Sequence, residues 1–303
     1  MIEKKEVKNM DMYQKRKIRA EKKNNDSQKS FSKVPISWYP GHMAKTKRLI
    51  SENLKYIDIV YELVDCRIPC SSKLNDIDAY VQDKPKILIM TKFDLCDKKE
   101  TLKWKEFYEK NGYTVFLCTK DTNINDLIKL TDNILKGKNL KRKYRALAIG
   151  VPNVGKSTLI NKLAGKKVTN VGNKPGVTKD LNWIRVNDKL ELLDSPGILW
   201  PKLNENAFNL ASFTAIKEEI LPLYDVVEYI LTTLSKYYSD ILYKRYGVSE
   251  VNEDFILTLE EIGKKRGCLV KGGNIDLDKT VNLIINDVKN GLISGITFDR
   301  LDV

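Results

Sequence analysis

The run Gly150-Val151-Pro152-Asn153-Val154-Gly155-Lys156-Ser157 fits the pattern G-x-x-x-x-G-K-[ST]. An apolar stretch at 146–149 precedes it and 159–163 follows with helical character, so strand, loop and helix succeed one another here. This commits the chain to an α/β fold, because such a loop works only where a strand delivers it to a helix N-terminus. Gly150 and Gly155 let the backbone curl until successive N–H groups point at phosphate oxygens. Lys156 then reaches the β- and γ-phosphates, and the Ser157 hydroxyl is placed to ligate Mg²⁺. Asn153, Val154 and Thr158 complete the cradle. The loop alone does not separate GTP from ATP.

Asp194-Ser195-Pro196-Gly197 closes the apolar run 190–193 and fits D-x-x-G. In that place Asp194 holds Mg²⁺ through water, and the Gly197 N–H bonds the γ-phosphate and moves when it leaves. Between the two motifs lies a polar connection, 166–180, with Pro175-Gly176-Val177-Thr178. Thr178 is the expected switch threonine on Mg²⁺ and γ-phosphate; the alternative is a plain Pro-Gly turn. Upstream, Thr91-Lys92-Phe93-Asp94 follows the apolar run 86–90 and matches [NT]-K-x-D. A carboxylate at Asp94 accepts from guanine N1–H and N2–H₂, which adenine lacks, and Lys92 can lie over the ring. Thr91 in place of Asn loses one amide contact. Cys118-Thr119-Lys120, after the next strand, is a weaker match that would back the base. Ordinarily the phosphate loop comes first and the base motif later; here the base motif precedes the phosphate loop and D-x-x-G comes last. Circular permutation of a fold is cheap where its original termini lie close together.

The strands expected are 57–64, 86–90, 113–117, 145–149, 181–186 and 190–193, the last two joined at Asn187-Asp188 as a hairpin. Helices are expected at 98–110, 124–135, 226–237, 253–265 and 277–289. The organisation expected is a basic, disordered arm (1–34), a nucleotide-binding α/β domain (35–205) and a helical domain (206–303). Net charge over the 303 residues is +13, yet residues 206–303 hold 11 Lys/Arg against 15 Asp/Glu. The arm and the α/β part are therefore the basic regions, which suggests a polyanionic partner, nucleic acid ahead of membrane. No apolar run of about 20 residues occurs, so no membrane-spanning helix is expected. No apolar signal core follows the N-terminal charges, and acids such as Glu3, Asp11 and Glu21 argue against a transit peptide. The five cysteines form no CxxC pair and there is one histidine, a usage expected of reduced cytoplasmic thiols.

With these motifs in this order, the chain resembles the circularly permuted ribosome-assembly GTPases of the YlqF/RbgA type. The resemblance runs from about residue 35 to the end. It includes Trp38-Tyr39-Pro40-Gly41-His42-Met43-Ala44-Lys45, Val64-Asp65-Cys66-Arg67-Ile68-Pro69, Ile198-Leu199-Trp200-Pro201, Lys265-Arg266-Gly267-Cys268-Leu269 and Gly272-Gly273. The resemblance implies a P-loop GTPase with GTP and Mg²⁺, coupled to maturation of the large ribosomal subunit. It also implies a C-terminal helical domain that contacts ribosomal RNA. A cytoplasmic monomer is expected. The long arm, Thr91 and Cys66 depart from the family pattern.

Hydrolysis needs a group to orient water, and the residue after D-x-x-G is Ile198, which cannot hydrogen-bond. His42 is either a packing or capping residue beside Pro40-Gly41 or the group that acts on water; the resemblance assigns it the catalytic role, as base or as orienter. Arg67 is either a charge stabiliser or, as favoured here, the holder of a loop through a salt bridge. Asn153 either ligates K⁺ through its side-chain carbonyl, as in related GTPases with Asn there, or only hydrogen-bonds the loop. Two rival classes are a nucleotide-regulated RNA-binding scaffold with negligible turnover and a small-molecule kinase; the kinase leaves Thr91–Asp94 without a role.

Overall fold

In chain order, helix α1 (Gly41–Asn53) is followed by β1 (Ile59–Asp65), the short α2 (Ile77–Val81), β2 (Lys86–Thr91), α3 (Lys98–Lys110) and β3 (Thr114–Leu117). Then come α4 (Ile124–Leu135), β4 (Tyr144–Gly150), α5 (Lys156–Ala164), β5 (Asn182–Arg185) and β6 (Leu190–Asp194). The computed structural model describes residues 41–74, 77–81, 84–137, 142–169, 181–199 and 207–301. The expected basic arm 1–34 lies outside them.

The six strands form one sheet in the order β3-β2-β1-β4-β6-β5. All neighbours are parallel except β5 and β6. β1 is buried at all seven positions, as a central parallel strand covered on both faces must be. The β5–β6 pair turns at Asn187, whose side-chain oxygen accepts from Lys189 N and Leu190 N at 2.8 Å. This is the expected hairpin. Helices start where a short polar side chain takes up the free N–H groups of the first turn. Asp97 accepts from Lys99 N and Glu100 N ahead of α3, and Asn123 accepts from Asn125 N ahead of α4.

After residue 206 the described chain is helical: α6 (Ala207–Ser212), α7 (Leu223–Tyr237), α8 (Ser239–Tyr246), α9 (Phe255–Arg266) and α10 (Leu277–Lys289). Apolar side chains of these helices, such as Val227, Leu231 and Ile284, belong to the same buried cluster as Leu192 and Ile198 of the sheet region. Beyond α10 the chain returns to the sheet. Gly295 N donates to Leu95 O at 2.8 Å and Phe298 N to Arg67 O at 2.7 Å. The buried Asp299 carboxylate accepts from Cys70 N and Ser71 N, both at 2.7 Å. The tail thereby straps the helices to the loops that follow β1 and β2.

Candidate nucleotide site

The register of the parallel strands brings the motifs level: Gly150 lies beside Leu63, Thr91 beside Asp65 and Asp194 beside Ala148. They meet at the carboxyl ends of the strands, where open α/β sheets bind their ligands.

β4 ends in the phosphate loop. A Cβ on Gly150 would lie 2.6 Å from Leu63 O, so any side chain there would part β1 from β4. Gly155 caps α5 at φ 107°, a left-handed conformation in which glycine is unstrained. Lys156 is buried, and its Nζ donates to Gly150 O and Val151 O at 2.9 Å each. Burial pushes its ammonium down to about 8, with Asp194 opposing the shift. Val154 is buried in the core, whereas Ser157 is half-buried and Thr158 exposed at the start of α5.

Asp194 ends β6, and both of its carboxylate oxygens are buried with no hydrogen-bond partner among the described residues. Burial raises the carboxyl to about 6, with Lys156 opposing. A buried carboxylate left so calls for a cation. With the Ser157 hydroxyl at the head of α5, the residues fit a hydrated Mg²⁺. Among the described residues no three His, Cys, Asp or Glu side chains converge as a metal site. The rest of such a shell would come from phosphate oxygens and water, the habit of Mg²⁺. The D-x-x-G segment is laced to the loop. Ser195 Oγ donates to Ala148 O at 2.7 Å and Ile198 N to Gly150 O at 3.1 Å. A Cβ on Gly197 would lie 2.7 Å from Pro152 Cα. Ile198 itself is buried in the core.

Two side chains of the base motif bond to its surroundings. Thr91, expected to bind GTP with one amide contact fewer than Asn, has its buried Oγ1 2.6 Å from Val154 O and 3.0 Å from Val64 O. Its hydroxyl therefore ties β2 to the phosphate loop. At φ 58° the Lys92 Nζ donates to Asp65 Oδ2 at 2.8 Å and Asn153 O at 2.7 Å, and its methylene stem is left to lie over a ring as expected of this motif. Asp94 is exposed. Cys118 is buried, and its N–H donates to Met90 O at 2.8 Å, holding the backing loop beside the base motif. Thr119 Oγ1 accepts from Asp121 N at 3.1 Å, and Lys120 is exposed.

Two contacts at this site escape sequence reasoning. Lys162 of α5 donates to Thr119 O at 3.3 Å and Thr122 O at 3.2 Å. Asn153, at φ 59°, donates through Nδ2 to Thr214 O at 2.6 Å and so joins the phosphate loop to the helical region. Asp65, the partner of Lys92, is also gripped by Arg67 at 2.8 Å, the salt bridge favoured for Arg67. Burial pushes the Asp65 carboxyl up, but Arg67 and Lys92 outweigh it and hold the group well below the usual carboxylate range. The spacing Asp65-x-Arg67 was a local signal for that pair; Thr214 and Lys162 gave none. Thr178 and the Trp200-Pro201 pair lie outside the described residues, as does the side chain of His42, whose backbone opens α1.

Two family models match the chain: a 50S ribosome-binding GTPase over residues 145–264 and an RsgA GTPase over residues 49–204. A ribosome biogenesis GTPase A of Priestia megaterium is 42% identical over 88% of this chain and 97% of its own length. One from Thermotoga maritima is 32% identical over 88% of the chain and 94% of its own length. Among solved structures, GNP-bound YlqF from T. maritima superposes with a TM-score of 0.60 at 29% identity, covering 84% of this chain and 98% of that one.

Proposed function

This chain belongs to the family of ribosome biogenesis GTPase A, and from that premise we propose that it hydrolyses GTP as a switch in assembly of the large ribosomal subunit. The observation that carries the reading is the meeting of an exposed Asp94, a buried Lys156 and an unpartnered buried Asp194 at one end of the sheet. Gly155, Lys156 and the N-terminus of α5 bind the phosphates, Asp94 reads guanine, and Ser157 and Asp194 hold Mg²⁺, Asp194 through water. When bound there, Mg²⁺ would supply positive charge against the charge that develops in phosphoryl transfer. The cytoplasm is the proposed place of action and a monomer the proposed form. Residues 35–205 are proposed as the nucleotide-binding part and 206–303 as the RNA-contacting part.

Gly197 is packed on Pro152 and followed by Ile198, bonded to Gly150 O, so loss of a γ-phosphate pulls on the connection into α6. Subunit binding is therefore expected to be tight with a non-hydrolysable GTP analogue, weak with GDP and steeply salt-dependent. By linkage the subunit tightens GTP binding by the same factor. Cosedimentation with both nucleotides at one salt concentration checks this; equal affinities would end the switch reading. Asp94→Asn is expected to turn preference from guanine toward xanthine nucleotides, since its amide donates where the carboxylate accepted. Wild-type GTP affinity is expected to exceed ATP affinity at least about tenfold, because a mismatched base leaves the carboxylate unpaired. Equal competition by ATP rejects the assignment.

His42, Thr178 and a K⁺ at Asn153 complete the proposed hydrolytic machinery. His42→Ala is expected to cut turnover by about 10²-fold or more with GTP affinity little changed, and replacing K⁺ with Na⁺ to slow the wild type. Normal hydrolysis by the variant, with and without subunits, removes His42 from the mechanism; a rate indifferent to the cation removes K⁺. The buried Ile198 favours one second reading, a scaffold with negligible turnover, because it offers water no polar side chain. Single-turnover hydrolysis on the subunit separates the two.

A further inference from the structure

β4 carries the phosphate loop at one end, and residues 142–145 lie at the other, about 20 Å away at roughly 3.3 Å per residue. A cleft of about 790 Å³ opens there, lined by five cations (Lys136, Arg142, Lys143, Arg145 and Lys189) against three carboxylates. The segment 136–145 holds six Lys or Arg and no acid. The carboxylates fix cations in place without cancelling the set. Glu191 lies 3.4 Å from Arg145, and Asp58, beside the cleft, 2.7 Å from Arg142. Lys136 and Lys143 have no carboxylate partner among the described residues.

Two large aromatic rings flank these charges in the open. Tyr56 is 44% exposed and Trp183, on the edge strand β5, is 43% exposed. The Arg145 guanidinium stands between them, 5.9 Å from the Tyr56 centroid and 5.1 Å from that of Trp183. Burial along β5 places Ile184 in the core and leaves Trp183 and Arg185 on the solvent side, so Trp183 is not a core residue displaced. Exposed rings beside a cation-lined cleft supply both things that single-stranded nucleic acid needs, phosphate neutralisation and flat faces for bases.

We infer that this cleft binds an unpaired stretch of RNA, gripping phosphates with Lys143 and Lys189 and stacking bases on Trp183 and Tyr56. The inference rests on the ribosome-assembly reading for the source of the RNA. Concavity favours a strand over a bilayer, which presents no ridge to enter a cleft. Because the cleft and the nucleotide crevice occupy opposite ends of the sheet, RNA and GTP bind together, and the rigid β4 joins the two sites.

The test uses the full chain with an unstructured 12-nucleotide RNA, a blunt RNA duplex of that length, and vesicles containing anionic lipid. The single strand is expected to bind best and to quench tryptophan fluorescence, and Trp183→Phe to lose most of that quenching. Trp183→Ala with Tyr56→Ala is expected to weaken single-strand binding about tenfold or more while duplex binding holds. Lys143→Glu with Lys189→Glu is expected to weaken both and flatten the salt dependence. GTP hydrolysis without RNA is expected to stay at the wild-type rate in every variant. Wild-type affinity in the variants, no RNA binding by the wild type, or stronger binding to vesicles than to RNA each overturns the inference. If the wild type still binds large subunits in a GTP-dependent way, only the cleft is wrong. If that subunit binding is absent while the oligonucleotide results hold, the assembly reading fails and the cleft stands.

Discussion

Lys156→Ala is expected to lose guanine nucleotide binding by about 100-fold or more, since charge-assisted bonds to phosphate are among the strongest a loop can make. The geometry explains why no neighbour can substitute. The Lys156 ammonium is curled back over its own loop, on Gly150 O and Val151 O, and is the cation that opposes the burial shift of Asp194. Without it the crevice loses its buried cation, and the charge-assisted bonds to phosphate go with it. The fold is expected to survive, because Asp194 takes up a proton more readily and Gly150 O keeps its bond from Ile198 N. Titration with a fluorescent GDP reads the affinity, and circular dichroism checks the fold. A folded variant that binds GDP within tenfold of wild type would falsify the placement of Lys156.

Local signals account for what could be read in advance. α3, α4 and α10 begin and end at the expected residues, because Asp97, Asn123 and Asp276 each cap a first turn with a side-chain oxygen. The strands agree to within two residues, since continuous apolar runs marked the buried parallel ones. α7 begins three residues earlier than expected, at Leu223, directly after Pro222, which suits a helix start. α1 and α8 were not foreseen. α1 is polar and weakly patterned, and α8 follows α7 after the single break at Tyr238.

Phosphate loop, base motif and D-x-x-G were legible because each is a short run that must present backbone or carboxylate in one way. What they bond to was not legible. Thr214 on Asn153 and Val288 on Arg67 are pairings across 61 and 221 residues, and such pairings leave no periodicity or spacing to read. The tail strap is another such case: Asp299 collects Cys70 N, Ser71 N and Asn209 Nδ2, yet no spacing in the sequence ties it to them.

Those long-range pairings close a ring, and Arg67→Ala is expected to break it at a cost of about 3–5 kcal/mol in stability, the range for stranding half of a buried ion pair. Arg67 Nη1 donates to Val288 O in the last turn of α10 at 3.1 Å, while Nε and Nη2 grip Asp65 at 3.0 and 2.8 Å. Asp65 in turn holds Lys92, Lys92 holds Asn153 O, and Asn153 donates to Thr214 O in the helical region. The guanidinium also stacks 4.4 Å from the centre of the Phe213 ring. Alanine leaves Val288 O without that donor and Asp65 with one cation in place of two. Arg67→Lys keeps the charge but not the fork, and is expected to recover only part of the loss. Folded Asp65 titrates below the unfolded carboxylate value of about 3.9. The pair's contribution is therefore complete above that pH and fades as pH falls beneath it. At neutral pH, then, the difference between wild type and variant is at its full size, and it shrinks in acid. Urea denaturation at both pH values measures it. GDP release, followed in the same preparations, is expected to quicken in Arg67→Ala, because Lys92 spans the base motif and the phosphate loop. A loss under about 1 kcal/mol, typical of a surface pair, with unchanged GDP release, would mean that the ring holds nothing together.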